Sequence, residues 1–81
     1  MKLTVKLFAR ARDLAGSDRI ELDLPEAARV ADLRAALTAA CSAMAPLVPR
    51  LLVAVGTDYA RDDLPLTPDA EVACFPPVSG G

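Results

Sequence analysis

Apolar residues alternate near the start of this sequence, recur at helical spacing in its middle and alternate again near its end. In residues 2–9 and 18–24 every second residue is apolar and points to the same face, which predicts two half-buried strands joined as a hairpin. Residues 29–44 carry apolar side chains three or four positions apart, which predicts one long amphipathic helix. A buried strand is predicted at residues 51–55, and a further strand at residues 71–75. This order predicts the α+β class: a roll in which a mixed sheet of about five strands carries one long helix packed across one face.

Glycine and proline residues mark the ends of these segments. Gly16 is expected to end a short helical turn over residues 11–15. Pro46 interrupts the long helical pattern, because a proline has no N–H to donate within a helix. Gly56-Thr57-Asp58 is expected to turn the chain into a short strand at residues 59–61.

The size and charge of the chain exclude several kinds of protein. Eighty-one residues suffice for one domain, and a net charge of −2 argues against nucleic acid or an anionic membrane as the main partner. The sequence contains no histidine, which removes an imidazole base and a histidine metal site. Two cysteines are too few for a disulfide scaffold, and the charged first segment, Met1 to Lys6, does not resemble a signal peptide. A cytoplasmic location is therefore expected.

The sequence lacks the usual motifs for side-chain catalysis: it contains no glycine-rich phosphate loop, no Cys-x-x-Cys pair and no nucleophile elbow. Cys41 lies on the apolar stripe of the long helix and Cys74 is in phase with Val72, so both are interpreted as buried apolar residues rather than nucleophiles. The acidic pair Asp62-Asp63 is interpreted as a solvated loop rather than a metal site. No metal and no bound cofactor are therefore predicted for this chain.

Acidic residues are concentrated in the second part of the sequence. Residues 51–81 contain five of them against the single basic residue Arg61. The simplest interpretation is a solvated acidic surface, and the alternative is that this part of the chain docks against a basic partner.

Both phenylalanines of the chain are predicted on the face of the sheet that the helix leaves uncovered. Phe8 is in phase with Lys2 and Lys6, and Phe75 is in phase with Glu71. Two aromatic rings on one exposed face favour a docking patch for another protein over the alternative that the rings curl around the edge of the sheet. A Phe75→Ala change is therefore expected to weaken docking while barely changing the melting temperature.

The sequence ends in a segment that cannot extend the last strand. Residues 1–75 are predicted as the folded domain and residues 76–81 as a flexible Gly-Gly tail, because the two prolines that open the tail remove ladder donors. Six residues at about 3.3 Å each reach roughly 20 Å, and Gly80 and Gly81 have no side chain to obstruct a narrow channel. The tail is interpreted as a stem that presents the Gly81 carboxylate to chemistry in another protein; the alternative is an ordinary frayed end.

The ending Phe75-Pro76-Pro77-Val78-Ser79-Gly80-Gly81 resembles the C-terminus of the small subunits of molybdopterin synthase, a family of ubiquitin-like β-grasp sulfur carriers. Leu7-Phe8-Ala9-Arg10-Ala11-Arg12-Asp13-Leu14-Ala15-Gly16 resembles the family's opening strand and short helix, and Val30-Ala31-Asp32-Leu33 resembles the start of its main helix. The chain departs from the family at Gly56-Thr57-Asp58, where the family often has an Asn-Gly-type turn. Gly56 keeps this segment competent to turn, so the expected fold is unchanged.

The resemblance implies a role that is carried by the end of the chain. It implies that an adenylating enzyme related to ubiquitin activators uses ATP to form an acyl-adenylate on Gly81, and that a sulfurtransferase converts this adenylate into a thiocarboxylate. The charged carrier would then dock on the large subunit of the synthase and donate sulfur to cyclic pyranopterin monophosphate. Gly80 and Gly81 are therefore the predicted reacting end. The predicted partner-binding residues are Phe8, Arg12, Phe75, Pro76, Pro77, Val78 and Ser79.

Three other roles stay open. A sulfur carrier of the thiamine pathway would use the same chemistry, but such chains are usually shorter and lack the Pro-Pro-Val stem. A ubiquitin-like modifier would instead join Gly81 to a lysine of a target protein through an isopeptide bond. A β-grasp interaction module would have an inert tail, so that deleting Gly81 would not change its activity, whereas the deletion would inactivate a carrier or a modifier.

Overall fold

One mixed sheet with helices on one of its faces makes up residues 1–77, which are the residues that the computed structural model describes. Its elements are β1 (Lys2–Leu7), α1 (Ala9–Ala15), β2 (Arg19–Asp23), α2 (Val30–Ala40), two 3-10 helices (Ser42–Met44 and Val48–Arg50), β3 (Leu52–Val55), β4 (Asp58–Tyr59) and β5 (Val72–Phe75). The strand order across the sheet is β2-β1-β5-β3-β4; β1 and β5 are parallel, and all other neighbours are antiparallel. The predicted α+β roll with a five-stranded mixed sheet is confirmed.

The core lies between the sheet and the helices. β1 contributes the predicted inward residues Leu3, Val5 and Leu7, which are 2%, 0% and 1% exposed, while the residues between them face solvent. This alternation follows from the two-residue repeat of a strand and leaves the opposite face of the sheet, here called the outer face, without a covering helix. α2 and β5 bury further residues of the same core: Val30, Leu33, Leu37, Val72 and Cys74.

The first helix is confirmed where Gly16 was predicted to end a helical turn, but it begins at Ala9, two residues before the predicted start. Gly16 has a left-handed backbone (φ +74°), and its N–H donates a hydrogen bond to the carbonyl of Arg12 at 2.9 Å. A glycine adopts this conformation without steric cost, which explains the position of the stop.

The second helix is shorter than predicted: it ends at Ala40, whereas the apolar spacing predicts helix as far as Met44. At Cys41 the backbone is extended (φ −143°, ψ 94°), and a 3-10 helix follows at once. That 3-10 helix returns Met44 to the core, where it is fully buried. The prediction was wrong here because Met44 reaches the core by a change of direction rather than by continued helical repeat.

The loop before β5 holds the start of α2. The backbone N–H groups of Val30 and Ala31 donate to the carbonyls of Leu64 (3.1 Å) and Asp62 (3.0 Å). Arg34 adds a link from its Nε to Asp62 Oδ1, at 2.8 Å. The first N–H groups of a helix have no partner within the helix, so these contacts satisfy them from the neighbouring loop.

The predicted turn before β4 is also confirmed. Val55 and Asp58 pair across the hairpin, which leaves Gly56 and Thr57 as its two-residue loop. Gly56 has φ +65°, and its N–H donates to the carbonyl of Glu71 at 2.8 Å. β4 covers only Asp58–Tyr59, so it begins one residue earlier and ends two residues earlier than the strand predicted over residues 59–61.

Candidate functional site

Two interior strands of the sheet, β1 and β5, end side by side where the tail leaves the domain. We call this end of the sheet the tail edge. β1 and β5 are parallel, and Leu7 pairs with Cys74 in register. The backbone N–H of Phe8 continues this pairing with a hydrogen bond to the carbonyl of Cys74 at 3.3 Å. Phe8 and Phe75 therefore follow as neighbours, although 67 positions separate them in the sequence (75 minus 8).

The two phenylalanine rings stack on each other. Their centroids are 4.6 Å apart and their planes differ by 9°. Phe8 is 41% exposed and Phe75 is half-buried, so the pair remains accessible from solvent. Such a pair contributes about 0.5–1.5 kcal/mol beyond the burial of its area. The sequence places both rings on the outer face, but it does not reveal that they contact each other.

Further apolar side chains extend this surface across the outer face. Leu52 of β3 pairs in register with Phe75 and is 39% exposed, which the prediction of a buried strand over residues 51–55 did not anticipate. Tyr59 of β4 pairs with Ala54 and is 72% exposed. Because residues in register share a face, these side chains continue the surface around the stack. We call the four residues Phe8, Leu52, Tyr59 and Phe75 the outer patch.

Basic side chains lie next to the outer patch. Lys6, Arg12 and Arg19 line a cavity of about 290 Å³ together with Phe8 and Asp18. Arg12, one of the predicted partner-binding residues, is thereby placed beside Phe8. Its guanidinium lies 3.9 Å from the carboxylate of Asp13, and both side chains are more than half exposed. An exposed pair at this distance is weak, which leaves Arg12 able to form other ion pairs.

Only the beginning of the predicted stem lies within the described residues. Pro76 is half-buried and Pro77 is exposed, and both directly follow β5 beside the aromatic stack. Val78, Ser79, Gly80 and Gly81 lie outside the described residues, so the roles assigned to them stay predictions.

Cys74 does not have the environment of a catalytic thiolate. Cys74 is fully buried, and burial raises the pKa of its thiol from 9.0 to about 11, although the positive charge of Arg34 counteracts part of this effect. The prediction of a buried apolar role is confirmed for Cys74. Cys41 is only half-buried, and its Sγ lies 3.7 Å from the carbonyl of Leu14.

A metal site and a membrane-spanning helix are two further possibilities for residues 1–77. Within this range no group of three or more His, Cys, Asp and Glu residues is arranged to hold a metal ion. Asp62, half of the acidic pair, instead accepts the hydrogen bond from Arg34. None of the helices in the same range is long and apolar enough to cross a membrane.

Comparison with known proteins relates the whole chain to small carrier and modifier proteins. Residues 5–81 match the ThiS family. The molybdopterin synthase sulfur carrier subunit of Chlamydomonas reinhardtii is 34% identical over the full length of both chains, and that of Escherichia coli is 40% identical over 98% of this chain and 99% of the relative. The crystal structure of SAMP1 (small archaeal modifier protein 1) from Haloferax volcanii superimposes with a TM-score of 0.87 at 29% identity over all of both chains. This similarity supports the predicted β-grasp fold.

Proposed function

Because the chain belongs to the ThiS family, we propose that it is the sulfur carrier subunit of a molybdopterin synthase. The observation that carries this proposal is its relationship to two curated proteins of that name, which are 34% and 40% identical and are matched over at least 99% of their own length. Both exceed the 29% identity to the archaeal modifier. The Phe-Pro-Pro-Val-Ser-Gly-Gly ending supports the same function.

The reactive group in this proposal is the carboxylate of Gly81. A carboxylate is a poor electrophile, so an adenylating enzyme first joins it to AMP from ATP and releases pyrophosphate. The terminal sulfur of a sulfurtransferase persulfide then displaces AMP and forms an acyl disulfide, and a second thiol cleaves this disulfide to release the thiocarboxylate. Its sulfur is a better nucleophile than the carboxylate oxygen and attacks cyclic pyranopterin monophosphate in the large subunit. Water then hydrolyses the thioester that links Gly81 to the pterin, which leaves the sulfur on the pterin and restores the Gly81 carboxylate. ATP is consumed by the activating enzyme and is not a cofactor bound by this chain.

The folded domain serves in this proposal as a docking module rather than as a catalyst. The buried thiol of Cys74 is protonated at neutral pH, because its pKa is about 11. The outer patch lies at the edge from which the tail leaves, so a partner that covers Phe8 and Phe75 also lies within reach of the tail. Aromatic side chains surrounded by charged ones are typical of protein interfaces, and Arg12 supplies such a charge.

The partner in this proposal is the large subunit of molybdopterin synthase, with Phe8 and Phe75 as the central contacts. Pro76, Pro77, Val78 and Ser79 would lie in the large subunit's channel that leads to the reaction site, and Gly80 and Gly81 would enter its narrowest part. The proposed compartment is the cytoplasm, since the free thiols of Cys41 and Cys74 suit a reducing environment.

A second candidate function is that of a ubiquitin-like protein modifier. The similarity in structure to a small archaeal modifier protein favours it. Both functions need an activated Gly81, but they differ in the group that receives it: a modifier is transferred to a lysine amine, whereas a carrier gives up sulfur and is released. Intact-mass analysis of the chain and its conjugates from cells separates the two.

The proposed function is tested by reconstitution. The chain, its adenylating enzyme, ATP and a sulfurtransferase are incubated, and the product is mixed with the large subunit and the pterin precursor. Molybdopterin should form with the wild-type chain and should be absent with a chain that lacks Gly81. Equal product formation with the shortened chain would contradict the proposal.

A further inference from the structure

Two positive charges face each other across the first hairpin, next to the outer patch. Lys6 of β1 pairs in register with Arg19 of β2, and both side chains are exposed on the outer face. Like charges directly opposite each other destabilise a strand pair. At the other end of the same hairpin, Lys2 pairs with Asp23, which is the favourable combination. The stability of the hairpin therefore does not explain why Lys6 and Arg19 lie opposite each other near the tail.

The basic charges at this position are poorly neutralised. Arg19 lies 3.6 Å from the carboxylate of Asp18, but their side chains are 64% and 68% exposed, so water screens the pair. Among residues 1–77, Lys6 forms no ion pair. Lys6, Arg12 and Arg19 thus line one cavity that includes a single carboxylate, that of Asp18, in a chain whose net charge is −2. Asp13, which lies 3.9 Å from Arg12, is outside the lining of this cavity, and water screens that exposed pair as well.

We propose that Lys6, Arg12 and Arg19 bind a cluster of acidic side chains on the surface of the synthase large subunit. This inference rests on the proposed function. The cavity that these residues line includes Phe8, so the charges border the aromatic contact and lie at the edge from which the tail leaves. A partner whose acidic groups meet this site is oriented with its channel facing the tail, and long-range attraction accelerates their encounter. The overall negative charge of the chain favours protein carboxylates over nucleic acid as the occupant.

Lys2 offers a matched control for Lys6. The two lysines lie on the same strand and the same face, four residues or about 13 Å apart. Lys6→Glu and Lys2→Glu change the net charge of the chain by the same amount, so that any effect of overall charge is common to both. Both lysines line a cavity of about 480 Å³ on the outer face together with Phe8 and Phe75, but only Lys6→Glu places a carboxylate in the cavity that Arg12 and Arg19 line.

The test measures association of the full chain with the large subunit by stopped flow, at about 20 mM and about 300 mM salt, where the Debye length differs severalfold. At low salt the rate constant should fall roughly fivefold or more for Lys6→Glu but less than twofold for Lys2→Glu. The difference between the two variants should largely vanish at high salt. Thermal unfolding of each variant confirms that it is folded.

Two outcomes would overturn the inference while leaving the proposed function intact: equal rate constants for Lys6→Glu and the wild type, or equal losses for Lys6→Glu and Lys2→Glu. A difference between the variants that persists at high salt would also contradict it, since screening must weaken an interaction among exposed charges. If the wild-type chain does not bind the large subunit at all, the proposed function itself fails, and the inference fails with it.

Discussion

Replacing Phe75 with alanine separates the docking role of the aromatic stack from its role in stability. The substitution removes a half-buried ring that stacks on Phe8 at a centroid distance of 4.6 Å. It also removes the side chain that faces Leu52 in register. The backbone of β5 and the buried side chain of Cys74 remain, so the fold should persist.

The stack raises the expected cost in stability above the small change predicted from the sequence. Loss of the stacked pair costs about 0.5–1.5 kcal/mol. Full truncation of a completely buried Phe costs about 3–5 kcal/mol, and Phe75 is only half-buried, so a total of about 1–2 kcal/mol is expected. For a domain of this size the melting temperature should fall by about 5–15 °C.

Phe75→Ala is expected to cost more free energy in docking to the large subunit than in stability of the domain. A central aromatic contact in an interface is typically worth 2 kcal/mol or more, so the dissociation constant of the complex with the large subunit should rise by about thirtyfold. Phe8→Ala should weaken docking in the same direction. The two substitutions should be less than additive in stability, because either one already removes the stack.

Calorimetric titration with the large subunit measures this effect well below the melting temperature of each variant. Leu14→Ala is the control for stability: Leu14 is half-buried and packs against the core from α1. It should lower the melting temperature by a similar amount and leave the dissociation constant within about twofold of the wild type. If Phe75→Ala and Leu14→Ala bind equally well, the outer patch is not the docking surface.

Two further predictions concern stability. Arg34→Ala should lower the free energy of unfolding by about 1–3 kcal/mol in urea titrations, because Arg34 is 18% exposed and donates to Asp62 Oδ1 (2.8 Å) and to the carbonyl of Val48 (2.7 Å); Arg34→Lys, which lacks the planar fork, should restore only part of it. The pKa of Cys74 is about 11 in the folded chain against 9.0 when unfolded, so its thiol loses a proton first in the unfolded state. The wild type should therefore lose about 2 kcal/mol of stability between pH 9 and pH 11 relative to a Cys74→Ala variant, whose own loss of packing is independent of pH; parallel pH dependences would contradict this.

The sequence predicts the parts of the fold that depend on local pattern. The strict alternation of Leu3, Val5 and Leu7 and the left-handed stop at Gly16 are both properties of a few consecutive residues, and both are confirmed. The end of α2 was missed because an apolar residue at Met44 satisfies a helical spacing even though the chain reaches it through a 3-10 helix. The spacing of apolar residues indicates which residues are buried, but different backbone paths can bury the same residue.

For the candidate site, the sequence predicts which face each side chain lies on but not which side chains contact each other. Sequence phase puts Phe8 and Phe75 on the outer face, but their stack requires that β1 and β5 be parallel neighbours in one particular register. The pairing of Lys6 with Arg19 depends in the same way on the register of the hairpin, which the intervening helix α1 conceals. Contacts between segments that are distant in sequence are fixed by topology, and local pattern does not specify topology.

The mass of the chain after sulfuration tests the central claim most directly. Full-length chain is incubated with its adenylating enzyme, ATP and a sulfurtransferase, and the intact protein and its C-terminal peptide are measured by mass spectrometry. We expect a mass increase equal to the exchange of one oxygen for one sulfur, located on Gly81, and no increase in a chain that lacks Gly81. An unchanged mass, or a series of conjugates with other proteins in place of the exchange, would contradict a sulfur-carrier function.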